Sequence, residues 1–178
     1  MLAVALAQLG QTLLLPHRLQ RHARLERRVE PLPAPLLHGQ ATAPAGTFKQ
    51  LSAGLWHACG VRTDDSVACW GASWNGQGLP PAGAFSHVTA GASHSCGVKV
   101  DGTAVCWGDN SSGQGTVPAS AFQQLSAGDD HTCGVKADGT VACWGGAYAG
   151  ENAPPPGTFK QVEAYSFLSC GVRTDDTT

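Results

Sequence analysis

No apolar run in this chain of 178 residues is long enough to cross a bilayer as a helix, which takes about 20. The nearest approach, Leu2 to Leu15, is interrupted by Gln8, Gly10, Gln11 and Thr12. It also lacks the basic leader of a secretory signal, and Pro16-His17-Arg18 stands where the small residues of a cleavage site belong. Positive charge is scarce beyond residue 38. Residues 39–178 hold six Lys and Arg against eleven Asp and Glu, so they offer no cationic surface for phosphates, and nucleic acid is not an expected partner. Also missing are a phosphate-binding loop, a nucleophile paired with a base, and a complete set of metal ligands. Those absences argue against an enzyme and leave no cofactor or metal to expect.

Residues 1–38 differ from the rest. They carry Arg18, Arg21, Arg24, Arg27 and Arg28 against Glu26 and Glu30, and close on Pro31, Pro33 and Pro35. The arginines at 18, 21, 24 and 28 fall on one face of a helix, so the segment reads as a solvated helix or as disorder, with a membrane-surface or targeting role as the sharper alternative. The prolines make an extended link.

From Gly39 onward the chain is a repeat. Phe48, Phe85, Phe122 and Phe159 are spaced 37 residues apart, as are Cys59, Cys96, Cys133 and Cys170, and Cys69, Cys106 and Cys143. Trp70-Gly71, Trp107-Gly108 and Trp144-Gly145 keep the same step. A fixed period of this size marks a unit that buries its hydrophobic face only against its neighbours. Phe122–Ala127 and His131–Lys136 are short, rich in Val, Thr and Leu, and alternate imperfectly, while Asp138-Gly139 and Asp101-Gly102 are hairpin signals in which glycine supplies positive φ. Asp64-Asp65 is a weaker version. The unit closes on Gly-Gln and proline, as in Gly76-Gln77 and Pro80-Pro81. The expected fold is all-β: propeller blades of about four strands, with a β-solenoid as the lesser alternative.

The runs Leu51–Val61 (LSAGLWHACGV), Val88–Val98 (VTAGASHSCGV) and Leu125–Val135 (LSAGDDHTCGV) resemble the repeat of the regulator of chromosome condensation family. A cysteine stands where that repeat usually has an aliphatic residue. The second cysteine, before Trp-Gly, is similar to the variant found in extracellular propellers, including the crinkly-type repeats of plant receptor kinases. The resemblance covers Gly39 to Thr178 and implies a β-propeller, which in that family has seven blades. It speaks weakly to function, since such propellers include exchange factors, enzyme inhibitors and receptor ectodomains.

On this reading residues 39–178 form a partial propeller of about three and a half blades, and seven units of 37 residues need more chain than the 178 present. The repeat enters in phase at Gly39, part-way through a blade, after a lead that reads like a frameshifted or mis-started translation. Arg173 to Asp176 match Arg62 to Asp65 and stop inside a hairpin turn. A fragment is expected, whose open blade edges invite pairing with another chain.

Cys59 and Cys69, Cys96 and Cys106, and Cys133 and Cys143 each flank a turn ten residues apart, which places each couple directly opposite on neighbouring strands. Disulfides within blades, and with them an oxidising compartment, are the expectation. Zinc is the alternative, since His57, His94 and His131 each lie two residues before the first cysteine, but each copy offers three ligands where a structural site takes four, and the fourth copy has Leu168. Buried free thiols are the remaining reading. The histidines open strands and are expected to bond a neighbouring blade's backbone, and the periodic tryptophans to pack between blades. Trp56 and Trp74 do not recur; Ser93 and Asp130, and Ser111 and Tyr148, occupy their places. Trp56, Trp74 and Tyr148, with Asp109-Asn110 and Asp129-Asp130, are candidate binding loops, because the scaffold does not need them. The acids also carry oxygen ligands for calcium, without the spacing of a calcium loop. The function expected is a non-catalytic scaffold for protein–protein interaction on a secreted or cell-surface protein. The alternatives are an intracellular regulatory scaffold or guanine-nucleotide exchange factor like the founding family, and an enzyme-inhibiting propeller.

Overall fold

The computed structural model describes residues 39, 42–147, 150 and 152–175, so the arginine-rich lead and Tyr148 lie outside the described residues. Eleven strands form four antiparallel sheets. The first blade is β1 (Phe48–Ala53), β2 (His57–Arg62) and β3 (Val67–Gly71); the second is β4 (Phe85–Ala90), β5 (His94–Lys99) and β6 (Ala104–Gly108). The third is β7 (Phe122–Ala127), β8 (His131–Lys136) and β9 (Val141–Gly145), and β10 (Phe159–Tyr165) with β11 (Leu168–Arg173) makes a two-stranded fourth. The propeller repeat is therefore present as three blades and a partial fourth. The blades have three strands rather than four. The segments after each third strand carry Pro80, Pro81, Pro118, Pro154, Pro155 and Pro156, which have no amide hydrogen for a ladder, and the isolated Thr103–Ala121 bridge instead joins the second unit's hairpin to the start of β7.

The imperfect alternation of the first strand has a physical cause. In all four blades the register slips once, between Phe48 and Gln50, Phe85 and His87, Phe122 and Gln124, and Phe159 and Gln161. The extra residue is a β-bulge that reverses the facing of the residues after it, so the chain keeps the phenylalanine inward and then resumes the pattern out of step. The hairpin between the second and third strands is a three-residue loop. In the third blade Gly139 N–H donates to the Lys136 carbonyl and Lys136 N–H to the Thr140 carbonyl, and Gly139 takes a φ of 84°. Asp65 fills the same place in the first blade at a φ of 69°.

The core lies between blades, as the repeat requires. Cys59 and Val61 of the first blade pack on Phe85, Val88 and Ala90 of the second; Cys96 and Val98 pack on Phe122 and Leu125; Cys133 and Val135 pack on Phe159, Val162 and Ala164. Glycine is needed where adjacent blades touch through backbone. A Cβ on Gly54 would come within 2.0 Å of the Gly91 carbonyl oxygen, the same atom that accepts the Leu55 N–H.

Candidate interaction face

Each blade has two ends, and the register defines them. Phe48 opposite Arg62 and Val61 opposite Val67 place the tight hairpin 63–66 at one end, and Ala53 opposite Ala58 and His57 opposite Gly71 place the loops 54–56 and 72–78 at the other. The turn end is built alike each time. Asp64, Asp101 and Asp138 accept both the N–H and the hydroxyl of Ser66, Thr103 and Thr140, and those bonds hold all three carboxyls below the usual range.

The strand midpoints carry the cysteines. Cys59 pairs with Cys69, Cys96 with Cys106 and Cys133 with Cys143, each as a disulfide between directly opposed residues with Cα atoms 4.0 Å apart. Cys170 is free and exposed. No group of three or more metal-ligating side chains occurs among the described residues.

The strand-opening histidines reach side chains of the next blade, whereas His87 on β4 meets the Leu125 carbonyl at 2.8 Å. His57 Nε2 lies 2.7 Å from Ser95 Oγ, His94 Nε2 2.9 Å from Thr132 Oγ1 and His131 Nε2 2.9 Å from Ser169 Oγ. Ser95 and Thr132 in turn donate to the main-chain carbonyls of Gln77 and Gln114, so they receive the imidazole proton. The same two carbonyls also accept the periodic tryptophans, Trp107 Nε1 to Gln77 and Trp144 Nε1 to Gln114, both at 2.9 Å. Each periodic Trp also meets the phenylalanine of its own blade, with ring centroids 5.7, 6.3 and 5.5 Å apart for Phe48–Trp70, Phe85–Trp107 and Phe122–Trp144. Burial pushes His57 down to about 4, and His94 likewise to about 4, with repulsion from His57 and His131 adding to the effect at His94 and Asp109 opposing it.

Sequence reasoning gave Gln77 and Gln114 no role. Both are fully buried, and their Oε1 atoms cap the loops by accepting Asn75 N–H at 2.8 Å and Ser112 N–H at 2.9 Å. The recurring Gly-Gln pair was the available signal.

The non-recurring residues gather at the loop end. Trp56 and Trp74, from separate loops of the first blade, meet with ring centroids 6.1 Å apart at 57°, and remain 39% and 56% exposed beside Leu55. Asp109 accepts from Ser111 and from Gln114 Nε2, Asn110 Oδ1 accepts Gly115 N–H, and Asp129 accepts from Ser166. Asp130 is raised above the usual carboxylate range, first by burial and then by Asp129 and Asp109. Tyr148 lies outside the described residues.

Residues 48–78, 85–114 and 122–151 match the Regulator of chromosome condensation (RCC1) repeat, just over half of the chain. The chain belongs to the RCC1 repeat family. Among solved structures, the ectodomain of the receptor kinase CR4 from Physcomitrella patens is 30% identical, with 72% of this chain and 39% of that one covered at a TM-score of 0.63. The CRINKLY WD40 ectodomain of the receptor kinase ACR4 from Arabidopsis thaliana is 28% identical, with 72% and 46% covered at a TM-score of 0.60. Prp20p from Saccharomyces cerevisiae shares the fold at 18% identity and a TM-score of 0.65, with 74% and 44% covered. The chain thus spans less than half the length of each of these RCC1-like structures. No curated protein sequence matches it.

Proposed function

We propose that this RCC1-repeat chain is a non-catalytic recognition scaffold of a secreted or cell-surface protein, and that it binds a protein partner through the loop end of its blades. The observation that carries this reading is the division of labour within each blade. Turn, disulfide, histidine and tryptophan repeat, while the loop end changes from Leu55-Trp56 to Ala92-Ser93 to Asp129-Asp130. An exposed aromatic pair that the frame does not need fits a contact surface. Three disulfides and the resemblance to two receptor-kinase ectodomains support an oxidising, extracellular setting. Prp20p has binding properties towards Gsp1p and histones; at 18% identity its likeness carries the fold alone to this chain.

The test is selection of binders from a displayed random-peptide library. Binders to the wild-type chain are expected to be lost on a Trp56→Ala, Trp74→Ala variant and kept on a Lys99→Ala, Lys136→Ala variant at the turn end. Binders indifferent to both tryptophans would refute the loop-end reading. Alkylation of the protein as secreted is expected to label Cys170 and no other described cysteine, whereas labelling of the paired cysteines would place the chain in a reducing compartment.

A further inference from the structure

The charges of the propeller are sorted by end. All six described lysines and arginines lie at the turn end: Lys49 and Lys160 at the starts of β1 and β10, and Arg62, Lys99, Lys136 and Arg173 at the ends of β2, β5, β8 and β11. There they face Asp64, Asp65, Asp101, Asp138 and Asp175, close to balance, and several are engaged: Lys49 with Asp65, Arg62 over the Phe48 ring and Arg173 over the Phe159 ring. The loop end holds Asp109, Asp129 and Asp130 and, among the described residues, no Lys or Arg.

The aromatic pair and the acids form one continuous surface. Asp109 follows Gly108, and a Cβ on Gly108 would lie 2.8 Å from the Ser93 carbonyl oxygen and 2.9 Å from Gln77 Cβ, so the loop that carries Trp74 abuts the start of the Asp109 loop. The Asp130 carboxyl is raised first by its partial burial and then by the neighbouring Asp129 and Asp109, and an arriving cation relieves the second part. The Trp74 loop also holds a donor in need of an acceptor. Gln77 is fully buried, its Oε1 is tied to Asn75, and its Nε2 has no partner among the described residues. In the second blade the equivalent Gln114 Nε2 donates to Asp109 Oδ2 at 3.1 Å; in the first blade Ala72 stands where that aspartate would be.

We infer that the loop end binds a cationic polypeptide segment, laid against Trp56 and Trp74 with its arginine or lysine side chains directed to Asp109, Asp129 and Asp130. The inference rests on the recognition reading above and adds the partner's chemistry. Carboxylates with no counter-cation among the described residues set the sign of the partner's charge, and exposed indole faces take a guanidinium by stacking and by attraction to the ring quadrupole. Acids with no Lys or Arg beside them among the described residues also steer such a segment to this end, with an on-rate that falls as salt rises.

The experiment uses the whole chain with its disulfides intact and two fluorescent peptides of about 12 residues, one alternating Arg and Gly and one alternating Glu and Gly, read by anisotropy in ~50 mM salt. The Arg peptide is expected to bind and the Glu peptide not to. Asp129→Asn with Asp130→Asn, and separately Trp56→Ala with Trp74→Ala, are each expected to weaken the Arg peptide at least about tenfold. Asp64→Asn with Asp101→Asn, at the turn end, is expected to change nothing, since asparagine keeps the acceptor oxygen there. Two outcomes overturn the proposal: no binding of the Arg peptide, or binding that all three variants leave equal. If the Arg peptide fails while library-selected binders still depend on Trp56 and Trp74, the cationic partner is wrong and the recognition reading survives. If nothing depends on the loop end, both fall.

Discussion

The two ends of each blade are made from the same strands, yet one is constant and the other free. At the turn end, Asp64-Asp65-Ser66, Asp101-Gly102-Thr103 and Asp138-Gly139-Thr140 close the same hairpin with the same hydrogen bonds, and each hairpin also accepts the first N–H of the next blade: Asp65 from Phe85, Gly102 from Phe122, Gly139 from Phe159. A residue that both closes its own turn and receives the neighbouring strand has two constraints and little room to change. At the loop end the constraints on residue type stop at the glycine and the histidine, while the main chain between them still bonds its neighbours, as Leu55 N–H does to the Gly91 carbonyl. The two residues between them touch solvent, and Leu-Trp, Ala-Ser and Asp-Asp serve equally well to join the strands. Freedom from structural duty is what makes the loop end available for recognition.

Acid separates the two ends, with the largest effect. His57 and His94, at the loop end, are held neutral in the folded state with pKa values of about 4, below the unfolded value of 6.5. Their contribution is therefore complete above pH 6.5 and is lost as pH falls through the folded values, on the order of 3 kcal/mol for each histidine. The turn-end carboxyls Asp64, Asp101 and Asp138 are also depressed, so their contribution is present above the ordinary carboxylate range and lost only at more acid pH. Denaturant midpoints measured across pH should fall in two stages, the first reduced by His57→Gln with His94→Gln, while His87, also lowered by burial, keeps part of it. A single stage beginning only below pH 4 would contradict the neutral, buried imidazoles.

Midway between the ends, Cys133→Ser removes a cross-link that closes a ten-residue span and leaves Cys143 unpaired. The expected cost is about 3 kcal/mol under non-reducing conditions, against little for Thr132→Ser, which keeps the hydroxyl that His94 uses. Equal melting of the two variants would count against the disulfides. At the turn end, Gly139→Val forces a β-branched residue to a φ of 84° and sets its Cβ 3.3 Å from that of Thr158. The expected loss is about 2 kcal/mol, and a neutral result would show that the hairpin reads differently in solution.

Much of the frame was legible in the sequence because its signals are local. Ten residues around an Asp-Gly turn are enough to pair Cys133 with Cys143, and the glycine announces its own positive φ. The bulge after each phenylalanine was visible only as imperfect alternation, since one inserted residue blurs a period of two without naming where it sits. The histidine partners were harder. Ser95 and Thr132 directly follow a histidine, and Ser169 follows Leu168 at the same place in the fourth copy, yet each bonds the histidine of the preceding copy, 38 residues back. Ala58 stands at that position in the first blade, where no preceding histidine is present among the described residues, and that contrast was the readable clue. The meeting of Trp56 with Trp74 was out of reach, because the side-chain directions of two loops depend on packing that no spacing encodes.

The most direct test of the division between ends is to give the first blade the second blade's loop. Leu55→Ala with Trp56→Ser turns Leu55-Trp56 into the pair found at Ala92-Ser93, and both folding stability and peptide binding are measured on the same preparation. The account predicts a change in stability within about 0.5 kcal/mol and a loss of binding of at least about tenfold. A destabilised chain that still binds as the wild type does would contradict it.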